Sequence, residues 1–175
     1  IYNLLQENQI AIRLKLYFWE KNANQNFFLS YYLLNTFFLI LSAVMMVLLT
    51  ESKKLRFYGE QEKFLFVVLG IFSIVVTQFV LVPYDCSSYF LLLFFFWFFL
   101  KYVQNFSLAN LGILGILMLV STINRETAAL SISLVATVLF FRMGFTKKSL
   151  LPVFFLGAIF FAVYLFIRFY FGSFR

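Results

Sequence analysis

Asp85 is the first candidate for a catalytic or binding residue, because it is the only Asp of the chain and lies in a polar break between two apolar runs. It lies in the segment Pro83-Tyr84-Asp85-Cys86-Ser87-Ser88-Tyr89. At a membrane surface this carboxylate could act as a general base or a metal ligand toward a lipid-linked substrate. The structural alternative is that Pro83 ends one helix and that Asp85 or Ser87 caps the next by accepting from its free N–H groups.

A second polar break, Asn124-Arg125-Glu126-Thr127, contains the other candidate residues. The planar guanidinium of Arg125 suits a phosphate group, and Glu126 could orient it or bind a sugar hydroxyl. In the structural alternative, Asn124 caps a helix, Glu126 lies favourably in its first turn and Arg125 reaches lipid head groups. Both interpretations stay open, because an Arg-Glu pair between two apolar runs needs a reason.

The composition indicates that membrane helices must position these residues. Of 175 residues, 63% are hydrophobic and 12% are charged, whereas soluble chains carry roughly 25% charged residues. A soluble globular domain is therefore excluded. The chain has no His and a single Cys, Cys86, which leaves no internal disulfide and no ordinary zinc site, so the residues alone predict no metal site.

The net charge of +7 is best explained by contact with anionic lipid head groups, so membrane lipid is an expected partner and nucleic acid is not. The 28 Phe residues, with abundant Leu, Ile, Tyr, Asn and Lys, are also typical of an AT-rich genome. Some of the aromatic content therefore needs no structural role.

Hydrophobic runs and their polar interruptions predict an all-α, polytopic transmembrane bundle of about six spans. The predicted spans are Phe27 to Leu49, Phe64 to Val82, Ser87 to Val103, Phe106 to Ile123, Ala128 to Phe145 and Leu150 to Phe171. The short separators favour hairpins, since one helix running through Asn124-Arg125-Glu126 would put charges in the bilayer centre. Pro152 is expected in the first turn of the last span, where its missing N–H costs nothing.

Residues 1–25 differ from the rest of the chain. Apolar and polar residues alternate there and are followed by Tyr17-Phe18-Trp19. Alternation favours a strand, but a lone strand beside a bilayer leaves its backbone unpaired, so we favour an interfacial amphipathic segment with Trp19 at the lipid head groups. Residues 26–175 form the predicted transmembrane domain. Because the chain begins at Ile1 rather than Met, we expect it to be trimmed or to be a fragment of a longer one.

The distribution of Lys and Arg predicts the orientation in the membrane. Eight of them fall on one side of the predicted spans: Lys53, Lys54, Arg56, Lys63, Lys101, Arg142, Lys147 and Lys148. Arg125, Arg168 and Arg175 fall on the other side, joined by Arg13, Lys15 and Lys21 if the first segment lies there. The positive-inside rule therefore places loops 50–63 and 142–149 in the cytoplasm and the loops containing Asp85 and Arg125 on the outer face. Arg168, near the end of the last span, is expected to contact lipid head groups at that face.

Small residues within the spans predict close packing between helices. Gly112 and Gly115 lie inside one span, and Ala158 and Ala162 lie one turn apart in the last.

Two stretches together resemble a known family. Pro83-Tyr84-Asp85 followed by Asn124-Arg125-Glu126-Thr127 resembles a group of bacterial polytopic membrane proteins that look like C-type (GT-C) membrane glycosyltransferases. The resemblance covers about residues 75 to 140. It implies a bacterial inner membrane and sugar transfer from a polyprenyl-phosphate carrier. In that reaction Asp85 and Glu126 would be catalytic, Arg125 would bind the donor phosphate, and a divalent metal ion would be an admissible cofactor.

The sequence departs from such enzymes in two respects that keep a second hypothesis open. They usually have about eight or more spans and a large first outer loop with an acidic residue, and neither is visible here. The alternative is a non-catalytic helical subunit of a larger membrane complex, whose aromatic faces pack against protein partners and lipid.

Overall fold

The computed structural model of the chain describes residues 25–52, 57–76 and 86–172. These residues form helices and short connections, and no strand occurs among them. The predicted all-α bundle is therefore confirmed. The interfacial segment proposed for residues 1–25, including Trp19, lies outside the described residues except for Gln25, the first residue of a helix.

Six α-helices and one 3₁₀ turn follow one another along the described chain. They are α1 (Gln25–Glu51), α2 (Glu60–Ile74), α3 (Cys86–Gln104), α4 (Leu108–Asn124), the 3₁₀ turn (Glu126–Ala128), α5 (Ala129–Met143) and α6 (Lys147–Gly172). Each helix overlaps one predicted span, so the apolar runs located the helices correctly.

Four segments are long and apolar enough to cross a membrane, which makes this a multi-pass membrane protein. They are Leu29–Glu51, Cys86–Gln104, Glu126–Met143 and Lys147–Tyr170. Helix α4 is equally apolar but has 17 residues, at the lower end of the roughly 17–25 that a crossing takes. The described part of α2 has 15 residues.

Local chemistry sets the helix boundaries. Ser107 begins α4 later than predicted, because its side chain accepts a hydrogen bond from the Ala109 backbone N–H at 3.2 Å. Gly144 ends α5 with φ of 65°, a left-handed conformation that favours glycine, so the span stops before Phe145. Before α6, the Thr146 carbonyl accepts from the N–H groups of Ser149 and Leu150.

Pro152 contradicts the prediction made for it. Helix α6 begins at Lys147, so Pro152 lies beyond the first turn and is fully buried. At this position its missing N–H removes one helical hydrogen bond, which would have reached the carbonyl of Lys148. The prediction failed because the helix extends back into the basic residues 147 and 148.

Helices α3 to α6 share the larger core of the described chain. Helix α3 packs on α4, α4 on α6 and α6 on α5, while α3 also contacts α5. The largest fully buried side chains of this core are Phe95, Phe99, Leu114, Met118, Leu139 and Leu156. The break after Asn124 confirms two helices rather than one long helix. The two helices pack little against each other and contact α6 and α3 instead, so the tight α4–α5 hairpin that the short separator predicted is not formed.

Helices α1 and α2 form a second layer outside α3. Helix α1 packs along α3, and α2 packs on α1. Their smaller cluster consists of Met46, Ile74 and Cys86 with partly buried neighbours. A Cβ on Gly70 of α2 would lie 2.8 Å from the Met46 sulfur, so glycine permits the close approach of the two helices.

Candidate functional site

A single extended residue separates α4 from the 3₁₀ turn. Arg125 has φ of −162° and ψ of 144°, its backbone N–H donates to the Ser121 carbonyl at 2.8 Å, and its carbonyl accepts from the Ala128 N–H at 3.2 Å. The chain thus leaves α4 and enters α5 within a few residues. The side chain of Arg125 is exposed at the end of the bundle where α4 ends and α5 begins.

Asn124 connects this end of α4 to the start of α3. Its Nδ2 donates to the Ser88 Oγ at 2.9 Å, and its Oδ1 accepts from the Ser87 Oγ at 3.2 Å. Asn124 is the last residue of α4, so its predicted role as a helix cap is wrong. Its amide serves instead as a bridge between two helices. Ser87 is the second residue of α3, within the helix, so the prediction that it caps this helix is also wrong.

A cleft of about 270 Å³ opens beside this bridge, between the start of α3, the end of α4 and the start of α5. Its polar lining consists of Ser88, Tyr89, Ser121, Arg125, Thr127 and Ser131. Its apolar lining consists of Leu91, Leu92, Ala128 and Leu130. The cleft follows from the separation of α4 and α5, which the extended Arg125 and the 3₁₀ turn allow.

The lining combines the groups that an amphipathic anion requires. Arg125 offers a guanidinium with several N–H donors, and the Ser, Thr and Tyr hydroxyls can donate to phosphate or sugar oxygens. The leucines offer an apolar wall to the cleft. Such a site can hold a charged head group while the attached hydrocarbon remains among apolar side chains.

The predicted site residues are not all placed together. Arg125 lines the cleft. Glu126 begins the 3₁₀ turn next to it, is exposed, and is not part of the lining. Asp85 lies outside the described residues, although it directly precedes Cys86, the first residue of α3. The prediction that Asp85, Arg125 and Glu126 form one site therefore stays a prediction.

Arg168 lies near the carboxyl end of α6 and is not part of the cleft lining. Its Nη1 donates to the Tyr164 hydroxyl at 2.8 Å, and its guanidinium carbon lies 5.9 Å from the centre of that ring. Both residues belong to one face of α6. The expected contact with lipid head groups stays a prediction for Arg168, as it does for Trp19.

No group of three or more His, Cys, Asp or Glu side chains comes together within residues 25–52, 57–76 and 86–172. The cleft lining there offers hydroxyls and a cation, and these are poor ligands for a divalent metal ion. We therefore derive no chemical step through a metal at this site.

Sequence analysis missed most of the hydroxyl-bearing residues of the cleft. Their spacing was an available signal, because Ser121 precedes Arg125, and Thr127 precedes Ser131, by one helical turn. In a continuous helix each pair would share one face, beside a predicted polar break; in the structure Arg125 is extended and Thr127 lies in the 3₁₀ turn. The contribution of α3 through Ser88 and Tyr89 requires the tertiary contact and could not be found in this way.

Three comparisons with known proteins gave no relative. No protein-family model, no curated protein and no solved structure matches the chain.

Proposed function

We propose that this multi-pass membrane protein binds the phosphate of a polyprenyl-linked sugar in the cleft around Arg125 and belongs to a GT-C-like glycosyltransferase. The observation that carries the proposal is the position of Arg125. Its side chain lines a cleft rich in hydroxyl groups, at the end of helices long and apolar enough to cross a membrane. A cation at the end of apolar helices favours an anionic head group attached to a lipid.

The size of the cleft supports a head group rather than a whole lipid. Its volume of about 270 Å³ is close to the lower limit of roughly 300 Å³ for pockets that hold drug-sized ligands. The polyprenyl chain would then leave the cleft past Leu91, Leu92 and Leu130 and run along the apolar helices.

The reaction class comes from the resemblance of the two polar breaks to GT-C enzymes. Asp85 would accept the proton of the acceptor hydroxyl as its oxygen bonds to the anomeric carbon. The carrier phosphate would leave with the electron pair of the broken C–O bond, and Arg125 would stabilise its charge. Glu126 would orient Arg125 or a sugar hydroxyl from the neighbouring turn.

The proposed orientation places the cleft on the outer face of a bacterial inner membrane, with loops 50–63 and 142–149 in the cytoplasm. Support comes from the described cations at the opposite end of the bundle, where Lys101, Arg142, Lys147 and Lys148 lie at helix ends. A cysteine introduced at Lys53 should be protected from an impermeant thiol reagent in intact cells. Labelling of that cysteine would reverse the orientation.

Binding of farnesyl phosphate, a short polyprenyl phosphate, to the chain in lipid nanodiscs tests the head-group assignment. We expect Arg125→Gln to weaken binding about 10-fold or more, since a hydrogen bond to a charged group contributes about 1.5–3 kcal/mol. The matched control is Arg168→Gln, which removes a second cation near the same end of the bundle but outside the cleft. It should leave binding unchanged.

Two results would overturn the proposal. Equal losses in both variants would mean that positive charge at the membrane surface attracts the probe non-specifically. No binding by the unmodified chain, together with stoichiometric protein partners in mild detergent, would favour the non-catalytic subunit.

A further inference from the structure

The Oγ of Ser121 is the one buried side-chain polar atom without a hydrogen-bond partner among the described residues. It is shielded from solvent and makes no hydrogen bond, although the residue lines the cleft. Buried polar atoms are nearly always paired, so an unpaired one calls for a physical explanation.

Other hydroxyls of the chain show what Ser121 could have done instead. Thr122, its neighbour, donates to the Met118 carbonyl at 2.7 Å, and Ser42 donates to the Phe38 carbonyl at 2.8 Å. Thr137 donates to the Ser133 carbonyl at 2.8 Å in the same way. A helical hydroxyl in an apolar environment commonly satisfies itself with the carbonyl one turn earlier. Ser121 does not make this bond, and a rotation about its Cα–Cβ bond would turn the shielded hydroxyl toward the cleft that the residue lines.

The position of Ser121 relative to Arg125 is fixed by the backbone. The Arg125 N–H donates to the Ser121 carbonyl at 2.8 Å, so the two residues are held one turn apart at the end of α4. Both residues line the same cleft. A single oxyanion in the cleft can therefore meet the guanidinium of Arg125 and, once rotated toward the cleft, the hydroxyl of Ser121, which lies in the last turn of α4.

We infer that Ser121 is a ligand-contacting residue, which donates its hydroxyl to an oxygen of the same phosphate that Arg125 binds. This inference rests on the proposed function, because it concerns the same cleft. It has a specific consequence. The hydroxyl of Ser121 is paired only when the ligand is bound, and leaving it unpaired lowers the stability of the ligand-free protein. Loss of the hydroxyl should therefore weaken binding and leave the empty protein as stable as before or more stable.

Ser121→Ala tests this inference through two readouts on the chain in nanodiscs. Farnesyl phosphate should bind about 5-fold to 10-fold more weakly, and the melting temperature of the ligand-free protein should stay equal or rise. The matched control is Ser133→Ala, an exposed serine of α5 outside the cleft, which should change neither quantity. A structural role for Ser121 would instead lower the melting temperature.

Farnesol and inorganic phosphate distinguish the source of the recognised group. If the lipid-borne phosphate is bound, farnesol should bind equally to the Ser121→Ala and unmodified chains, and inorganic phosphate should compete only at high concentration. Efficient competition by inorganic phosphate would identify a free anion as the ligand and overturn the lipid-linked assignment.

Ser121→Ala and Arg125→Gln fail in distinguishable ways. If Arg125→Gln loses binding and Ser121→Ala does not, the inference about Ser121 is wrong and the proposed function stands. If neither variant changes binding, both are wrong.

Discussion

The two layers of this molecule are packed by different means. In the α3–α6 layer, large side chains such as Phe95, Phe99 and Met118 are fully buried among several helices. In the α1–α2 layer, α2 touches mainly α1, and Phe64 and Phe72 remain 69% and 63% exposed. Only the first layer has enough internal contact to hold a cleft in a fixed shape, and the cleft is found there. The second layer presents its apolar side chains to its surroundings.

Loss of a phenylalanine ring gives the largest expected difference between the layers. Phe99→Ala should destabilise the protein by about 3–5 kcal/mol, because the void remains among packed helices. Phe72→Ala, on the exposed side of α2, should cost far less, since lipid or detergent refills the space. Equilibrium unfolding in mixed micelles compares the two variants. Equal losses would mean that α2 is as tightly enclosed as α3.

Removal of a hydrogen bond should distinguish the two layers less than removal of an aromatic side chain. Asn124→Ala removes a bridge between α3 and α4 and should cost about 0.6 kcal/mol, the average for an interhelical bond in a membrane protein. Ser42→Ala, in α1, removes a bond within a single helix and should be nearly neutral. The same micelle measurement applies. A greater loss for Ser42→Ala would place the important polar contact in the outer layer.

Alanine substitutions at three glycines report how closely the helices approach at each position. Replacing a glycine inside a helix by alanine stabilises the folded state by about 0.5–1 kcal/mol. A Cβ at Gly112 would meet no other atom, so Gly112→Ala should show this stabilisation in full. At Gly115 a Cβ would lie 3.0 Å from atoms of Ile159 and Phe155, which should cancel much of it. Gly70→Ala should fall between them, because the flexible end of Met46 can turn aside. Equal gains at all three would contradict the packing described for Gly115.

The smallest effect should come from the ion pair at the start of α2. The hydrogen bond from Lys63 to Glu60, at 2.7 Å, raises the pKa of Lys63 above its usual value of 10.5. Because the pKa of Lys63 is raised in the folded protein, the stabilisation by its ion pair with Glu60 is complete with respect to Lys63 below pH 10.5. It is lost only as the pH rises through the pKa of Lys63 in the folded protein. Because the pair is exposed and screened, Lys63→Gln should not measurably change the melting temperature at pH 7. A clear decrease would show that this end of α2 is enclosed by something beyond the described residues.

The fold was accessible to sequence analysis because apolar runs alone locate helices in a membrane protein. Two predicted boundaries missed by about two residues, because the cap at Ser107 and the positive φ of Gly144 set them and the apolar runs do not report such local chemistry. Errors arose where a contact between helices decided the outcome. Asn124 has the chemistry of a cap, yet it bridges to α3, and Ala158 and Ala162 lie on an exposed face rather than in a helix contact.

Of the candidate site, Arg125 was identified and most of the hydroxyl groups were not. A guanidinium between two apolar runs stands out in any hydropathy profile. Ser121 and Ser131, by contrast, look in the sequence like any other serine within an apolar helix. Their importance depends on the separation of α4 from α5. Since that separation is set by the packing of both helices against α6 and α3, no local pattern in the sequence reports it.

The connections described for α3–α4 and α5–α6 also bear on how the protein enters a membrane. Each consists of three residues, 105–107 and 144–146, too few to leave one helix of a pair behind while the other inserts. We therefore expect each pair to enter the membrane as one helical hairpin, with both of its free ends on the same side. Removing the basic residues near 147 should consequently invert α5 and α6 together, or neither of them.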